Sequence, residues 1–358
     1  MSELRRSFGF SISVDGGTDV GRVRTNNEDS WGAQWLEDGS LFVIVADGMG
    51  GHEAGEVASG LAVQVVEDAA TRDVDIDPRQ RLYDALVEAN EAILEEGNRS
   101  GSRGMGTTAI TCICKGQEAY VALVGDSRCY LIRYGQVIWR TLDHTRVQML
   151  VDNGDISEEE AKTHPEAGML TRALGHARMA DGRPLEPDVL SEPLYLEEKT
   201  DTLLLCSDGL TDLVDDWEIA QLVAGKAAPA AIQALTELAC DRGGHDNITI
   251  AIVNTGLRSS EYDENYQPEG WDQPDAYDDQ GAGDYDTYDD LETDQAPPAP
   301  EPVAAAPVAQ PIAAAPMVLP EESEGTNTLL IVGIGAVVLL VFGIMAFTLL
   351  TVVLMVAL

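Results

Sequence analysis

Apolar and polar positions are patterned up to about residue 254 and change character afterwards. Residues 41–46 are six consecutive apolar residues that end in Asp47 and a Gly-rich turn, which is typical of a strand buried on both faces. Residues 202–208 repeat the arrangement and end in Asp208, and a third apolar run opens with Asp246 and Asn247. If this third strand is antiparallel to the other two, the three carboxylates meet at one rim.

Helical periodicity is strong over residues 52–70, and a second helix begins at Pro78 and ends near Gly97. Later helices are predicted over residues 215–224 and 229–242. Residues 8–14 alternate as a half-buried strand does, and we expect Gly16-Gly17 to end that strand. The remaining strands are predicted at residues 108–114, 118–126, 129–133, 136–140 and 246–254, with a hairpin turn at Tyr134-Gly135.

The elements are grouped, with two helices, then several strands, then two helices and a last strand. This order disfavours a doubly wound parallel sheet and favours an α+β fold, in which two antiparallel sheets carry helix pairs on their outer faces. Residues 144–182 lack strand signals and read as an excursion from the sheets. Within this segment the pattern predicts a short helix near residues 145–153 and a second helix capped by Ser157.

The composition changes after Asn254. Residues 255–325 hold 18 Asp plus Glu against one Arg, a net charge of −17, and their later part is rich in Pro and Ala. Low hydrophobicity with like charge predicts disorder, and Ala-Pro repeats predict an extended spacer. We therefore interpret residues 255–328 as a disordered linker. The Tyr-Asp alternation around Tyr285 leaves a docking segment open as an alternative.

Residues 329–358 form a thirty-residue stretch without a charge, and about 20 apolar residues suffice to cross a bilayer. A buried core helix is the alternative, but it is not expected at the end of an acidic linker. We predict a single-pass C-terminal transmembrane anchor, with residues 1–254 as a domain in the cytoplasm. The N-terminus lacks the apolar centre of a secretory signal.

Charge and cysteine content narrow the function further. The formal net charge of −40 argues against nucleic acid or anionic lipid as partners of the bulk surface. The five cysteines lack paired spacing and lie in apolar stretches, so we interpret them as small core residues in a reducing compartment.

The converging carboxylates predict a metal site. Clustered Asp side chains repel one another unless they are protonated or bind cations. Oxygen ligands without neighbouring Cys, and with His scarce, favour Mg²⁺ or Mn²⁺ over zinc. Two such ions can activate a bridging water and hold a phosphoryl group for in-line displacement. Arg24 offers the planar donor fork that phosphate oxygens accept. Each of these residues taken singly also fits an ordinary turn or surface role.

The motifs resemble, in order, those of type-2C metal-dependent Ser/Thr protein phosphatases (the PPM family), bacterial branch. The resemblance covers residues 8–254, and seven motifs carry it: Arg24-x-x-x-Glu28-Asp29, Asp47-Gly-Met-Gly-Gly-His52, Gly106-Thr-Thr108, Val124-Gly-Asp-Ser-Arg128, Leu170-Thr-Arg-Ala-Leu-Gly175, Ser207-Asp-Gly-Leu-Thr-Asp212 and Asp246-Asn-Ile-Thr249.

This resemblance implies an α-β-β-α sandwich with a binuclear Mn²⁺ or Mg²⁺ site between the sheets. It implies that Asp47 bridges both ions and that the Gly48 carbonyl binds one of them, whereas Asp208 and Asp246 bind the other. Asp126 would form a third, weaker metal site with Asp208. The resemblance also implies metal-bound waters held by Glu28 and Asp29, phosphate binding by Arg24, and a mobile flap at residues 144–182.

Two departures from the family pattern stand out. Met49 occupies the position where eukaryotic members place a His that is proposed as the general acid, and His52 is a substitute candidate. A structural His at a helix start and protonation by a metal-bound water are the open alternatives. In the flap, His164-Pro-Glu-Ala-Gly168 replaces the family's His-Pro-x-Arg-Asn, which predicts an altered substrate preference.

We therefore expect a membrane-tethered protein-serine/threonine phosphatase acting in signalling, in which an activated water attacks the phosphorus of phosphoserine or phosphothreonine in line. Its expected partners are phosphoproteins, a cognate Ser/Thr kinase and that kinase's substrates. The alternative is a non-catalytic member that binds phosphoproteins. Asp47, Asp208, Asp246 and Arg24 are all present, whereas a degenerate binder is expected to lose at least one of them.

Overall fold

The structure, a computed structural model, describes residues 5–50 and 53–256. The predicted linker beyond Gly256, the C-terminal anchor and His52 lie outside the described residues, whereas Thr255, the first residue of the predicted linker, is the last residue of the final strand. The strands are β1 Arg5–Ser7, β2 Phe10–Asp19, β3 Asp29–Trp35, β4 Leu41–Met49, β5 Gly106–Thr107, β6 Ala109–Lys115, β7 Glu118–Val124, β8 Arg128–Arg133, β9 Gln136–Arg140, β10 Asp188–Val189, β11 Leu194–Tyr195, β12 Asp201–Cys206 and β13 Ile248–Thr255. The helices are α1 Glu53–Thr71, α2 Pro78–Ser100, α3 Arg146–Asp152, α4 Glu158–Lys162, α5 Asp208–Thr211, α6 Asp216–Val223 and α7 Ala228–Asp241.

Two antiparallel sheets form the centre of the fold. Sheet I has the strand order β1-β2-β13-β12-β8-β9. Sheet II has the order β10-β7-β6-β4-β3, with β11 also paired to β7 and β5 to β4. The expected antiparallel pairing of β12 with β13 is confirmed, whereas β4 belongs to the other sheet. The carboxylate rim is therefore shared between two sheets.

Three buried apolar layers hold the sheets and helices together. Phe42 and Ile44 of β4 face α1 and α2, whereas Val43 and Val45 face sheet I, so the strand is buried on both sides. This explains its unbroken hydrophobic run. The third layer packs α6 and α7 against the outer face of sheet I. The predicted α+β sandwich with flanking helix pairs is confirmed.

The expectation that Gly16-Gly17 end the first strand is wrong, because β2 continues to Asp19. A Cβ on Gly16 would lie 2.6 Å from the Trp31 ring, so the glycine lets an aromatic side chain lie directly on the backbone. Strand β3 was not predicted, because its residues 29–35 read as polar. It pairs with β4 from Asp29↔Asp47 to Trp35↔Leu41, and only Asp29 of its residues is buried.

The short predicted elements agree with the structure. Tyr134 and Gly135 have φ values of 50° and 70°, as a tight hairpin turn requires. Ser157 caps α4 in a capping box with Glu160. All five cysteines are free and buried, in agreement with the core interpretation. Among the helices that the structure describes, none has the length and hydropathy needed to cross a membrane.

Candidate metal centre

A cavity of about 310 Å³ opens at the rim that the two sheets share. It is lined by Arg24, Glu28, Asp47, Gly48, Met49, Gly50, Thr108, Asp126, Gly168, Leu170, Asp208, Asp246 and Asn247. The structure thus brings seven of the predicted site residues to one cavity. Asp29 does not line it, and His52 lies outside the described residues.

Asp47 is held by its backbone at the end of β4. Its N–H donates to the Thr108 hydroxyl over 3.0 Å, and its carbonyl accepts from the Thr107 hydroxyl over 2.8 Å. Burial raises the pKa of its carboxyl well above the usual range, and the neighbouring Asp208 and Asp29 carboxylates raise it further. Asp47 is thus anchored through its backbone, and its carboxylate lies close to other carboxylates.

Asp208 follows β12 at the first position of α5. Its Oδ1 is buried and has no hydrogen-bond partner among the described residues. Burial raises the pKa of its carboxyl, and repulsion by Asp126 and Asp212 adds to the effect. An orphaned buried oxygen costs about 1–3 kcal/mol or more if charged, so Asp208 is a strong candidate to accept a cation.

Asp126 lies in the turn between β7 and β8. Burial raises the pKa of its carboxyl to about 7, with a further contribution from the Asp143 carboxylate. Asp246 lies before β13, where its Oδ2 accepts from Arg24 Nη2 over 2.7 Å. The Arg24 side chain is half exposed, so its remaining donors face the cavity mouth and solvent.

Asp29 lies opposite Asp47 in the β3–β4 ladder. Its Oδ2 accepts a hydrogen bond of 2.8 Å from the hydroxyl of Ser207, which directly follows β12 of the other sheet. Its Oδ1 is buried without a hydrogen-bond partner among residues 5–50 and 53–256. Burial raises the pKa of this carboxyl to about 6, although the hydrogen bonds to it act in the opposite direction. Asp29 thus supports the site from below the cavity.

Glu28 is positioned by a residue that the sequence analysis did not single out. The Glu28 N–H donates to Asn247 Oδ1 over 2.8 Å, and Asn247 Nδ2 donates to the carbonyls of Val20 and Asn26 over 3.0 Å each. The Glu28 carbonyl accepts from the Ser59 hydroxyl over 2.6 Å. The only signal in the sequence was the position of Asn247, an amide side chain between the candidate ligand Asp246 and an apolar strand.

The donor set fits a hard divalent cation. Carboxylates from both sheets line one small cavity, and one of their oxygens, Asp208 Oδ1, lacks a hydrogen-bond partner among the described residues. Within residues 5–50 and 53–256, no group of three Asp, Glu, His or Cys side chains is arranged closely enough to hold a metal ion by itself. Mg²⁺ retains several waters and binds through one or two carboxylates, so a sparse set of protein ligands suits it.

The fold occurs in solved structures of bacterial phosphatases. A Streptococcus agalactiae serine/threonine phosphatase is 36% identical, with a TM-score of 0.62, over 68% of this chain and 99% of that one. The catalytic domain of the phosphatase PstP, solved with two manganese ions, is 34% identical, with a TM-score of 0.59, over 69% of this chain and 99% of that one.

Sequence relatives agree with this likeness. The serine/threonine phosphatase stp of Listeria welshimeri is 38% identical over 67% of this chain and 94% of its own length. PstP of Mycobacterium tuberculosis is 37% identical over 66% of this chain and 44% of its own length. The profile of the family "Protein phosphatase 2C" matches residues 16–248. The chain belongs to the protein phosphatase 2C family and is an enzyme of the protein phosphatase class.

Proposed function

We propose that this chain is a metal-dependent protein serine/threonine phosphatase that hydrolyses phosphoserine and phosphothreonine in proteins. The observation that carries this proposal is the convergence of Asp47, Asp126, Asp208 and Asp246 on one cavity with Arg24 at its mouth. The names of the relatives support the Ser/Thr specificity.

Asp47 with the Gly48 carbonyl, and Asp208 with Asp246, would hold two ions, Mn²⁺ or Mg²⁺. Asp126 would contribute to a third, weaker site. When bound, such ions supply Lewis-acid polarisation of the phosphoryl group and activation of water. Their positive charge would offset the burial and the mutual repulsion that together raise the pKa values of Asp47 and Asp208.

The chain's own residues bind and orient the substrate. Arg24 presents donors beside Asp246, so a phosphate oxygen can accept from the guanidinium while the carboxylate remains paired. The flap residues Gly168 and Leu170 close one wall of the cavity. Met49 also lines it, so no His stands at that position to protonate the leaving alkoxide. His52 remains a proposed proton donor that lies outside the described residues.

Asp208→Asn tests the proposal. We expect Mn²⁺-dependent hydrolysis of a phosphothreonine peptide to fall by at least about 10³-fold, because a principal anionic oxygen donor is lost. Asp215→Asn, at an exposed cap of α6, is the matched control and should retain wild-type turnover. Undiminished turnover by Asp208→Asn would contradict the mechanism. Phosphopeptide binding without turnover by the wild type would favour the alternative of a phosphoprotein-binding regulator.

We also propose that residues 329–358 tether the enzyme to a membrane and that residues 255–328 serve as the spacer. The support is the uncharged thirty-residue stretch in the sequence. Such an enzyme would act on phosphoproteins made by a Ser/Thr kinase near the same membrane.

A further inference from the structure

His144, at the first position of the flap, is a buried polar residue that belongs to no candidate ligand set. Its side chain is 7% exposed. The backbone N–H of His144 donates to the Gly125 carbonyl over 2.9 Å, and the ring Nδ1 accepts from the Gly125 backbone N–H over 3.1 Å. One residue therefore satisfies both backbone polar groups of Gly125. Because Nδ1 is an acceptor, a neutral ring carries its proton on Nε2.

The other ring nitrogen reaches the strand that follows the flap. His144 Nε2 lies 3.0 Å from Asp188 Oδ2, and Asp188 of β10 pairs with Leu123 of β7. Arg172 Nη1 lies 3.5 Å from the same Asp188 oxygen. The imidazole thus links the start of the flap to the chain beyond its end.

The backbone of His144 also ties the start of the flap to residues 170 and 171 within it. Its carbonyl accepts from the Thr171 N–H over 2.7 Å, and the neighbouring Thr145 and Leu170 form an isolated β-bridge. Leu170 lines the cavity. The wall that the flap contributes is therefore attached directly to His144.

The Gly125 turn leaves little freedom for movement. Its φ of +106° is a left-handed conformation, and a Cβ there would lie 2.6 Å from the Thr108 side chain. Asp126, the next residue, lines the same cavity. A shift of the His144 ring would change the position of the flap wall relative to this turn.

We propose that His144 is a positioning residue, and that the contacts of His144 with Gly125, Asp188 and Thr171 form a flap clamp. The clamp keeps the cavity-lining part of the flap in register with the Gly125–Asp126 turn. It thereby sets the surface against which the residues flanking a phosphorylated side chain lie. This inference rests on the proposed phosphatase function and concerns its selectivity for peptide substrates.

The test uses the full-length chain and three substitutions. His144→Asn keeps an oxygen near the Nδ1 position and loses the contact with Asp188, and Asp188→Ala removes the same contact from the other side. Asp188→Asn keeps an amide oxygen that accepts from Nε2–H, so it is the conservative variant. Kinetics with Mn²⁺ are measured on a phosphothreonine peptide and on p-nitrophenyl phosphate, which has no flanking residues. Hydrogen exchange is followed at residues 168–174.

We expect His144→Asn and Asp188→Ala to raise KM for the peptide about tenfold, as for one lost hydrogen bond to a charged group, with kcat on p-nitrophenyl phosphate within about twofold of wild type. Exchange at residues 168–174 should accelerate in both variants, and Asp188→Asn should resemble wild type. Parallel losses on both substrates, or unchanged exchange, would overturn the clamp.

Two further outcomes are separable. The Asp188 side chain is 60% exposed, so Asp188→Ala should fold and decides the matter if His144→Asn does not. If the wild type hydrolyses neither substrate, the proposed function fails. Hydrogen exchange then still tests the clamp: faster exchange at residues 168–174 in Asp188→Ala than in Asp188→Asn supports it, and equal exchange in the two variants overturns it.

Discussion

The proposed chemistry depends on the protonation state of a few individual carboxyl groups. Asp126 is buried, Asp47 and Asp208 are half-buried near it, and the pKa of each is raised chiefly by loss of solvation. A raised pKa means that the metal-free site retains protons at a pH where exposed carboxylates have lost them. Metal ions and protons therefore compete for the same oxygens.

This competition predicts pH-dependent metal binding. The pKa of about 7 for Asp126 lies above its unfolded value, so below pH 7 the protonated carboxyl must release a proton before it can bind an ion. Apparent Mn²⁺ affinity should rise as pH increases from 5.5 to 8, by up to about tenfold per pH unit for each proton displaced. Calorimetry in buffers of different ionisation enthalpy measures both affinity and proton release.

Asp126→Asn is the matched variant for that measurement, and it should reduce the proton release seen at pH 7. An Mn²⁺ affinity that is constant between pH 5.5 and 8 would contradict the competition.

The hydrogen bond between Ser207 and Asp29 links the two sheets beneath the cavity. Ser207 precedes Asp208, and Asp29 lies opposite Asp47 in its ladder. Ser207→Ala leaves a buried carboxylate without its donor, so we expect a loss of about 1–3 kcal/mol in the free energy of unfolding. Because the bond also spaces Asp47 from Asp208, metal-dependent stabilisation should decrease as well.

Thermal unfolding with and without Mn²⁺ separates these two effects. Ser191→Ala, at an exposed position, is the control and should change neither. A lower stability with unchanged metal-dependent stabilisation would show that Ser207 acts on the fold alone.

At the level of secondary structure, helix α2 contains a buried charged side chain, that of Arg81. Arg81 is 4% exposed, and its Nε and Nη2 have no hydrogen-bond partner among the described residues. Burial lowers the pKa of its guanidinium, with Asp38 acting in the opposite direction. Burying a charge without full pairing is unfavourable, so this position costs the helix stability.

Replacing Arg81 with Met, which has a similar shape and no charge, should therefore stabilise the domain by about 1–2 kcal/mol. The control is Arg99→Met on the same helix, where the side chain is 78% exposed and paired with Glu96, and it should change stability by less than about 0.5 kcal/mol. Urea unfolding of both variants measures the difference. A destabilised Arg81→Met would show that the guanidinium makes a favourable contact.

For the whole molecule, charge and hydropathy are distributed very unevenly. Residues 255–325 carry −17 of the net −40, and residues 329–358 carry no charge. Residues 257–358 lie outside the described residues, so the roles of these segments are predictions from composition.

Deleting residues 329–358 should move the protein from the membrane fraction to the soluble fraction and leave turnover of a phosphothreonine peptide within about twofold, because the proposed site lies wholly in residues 24–247. Fractionation after expression of the full-length and truncated chains measures this. Deleting residues 257–325, which leaves β13 intact, while keeping 329–358 is the control and should leave the protein on the membrane. Persistent sedimentation of the truncated chain with membranes would contradict the anchor.

Much of the fold and of the site could be predicted from the sequence. The buried strands could be recognised in the sequence because both of their faces are apolar. Helices α1 and α2 could be recognised because apolar residues recur on one helix face at every turn. The candidate ligands could be named because they stand at the ends of such strands in a familiar order. Strand β3 was missed because Trp31, Ala33 and Trp35, which alternate and are half-buried against the layer between the sheets, are too few to stand out from the polar segment around them.

Local pattern therefore determined the elements and the chemical type of the site, because hydrophobic periodicity and ligand chemistry are properties of neighbouring residues. Only the tertiary structure placed Asp47 on one sheet and Asp208 with Asp246 on the other. It also paired Asp29 with Ser207 and His144 with Gly125 and Asp188. These contacts join residues between 19 and 178 positions apart. No local pattern encodes them, because they depend on how two independently paired sheets pack face to face.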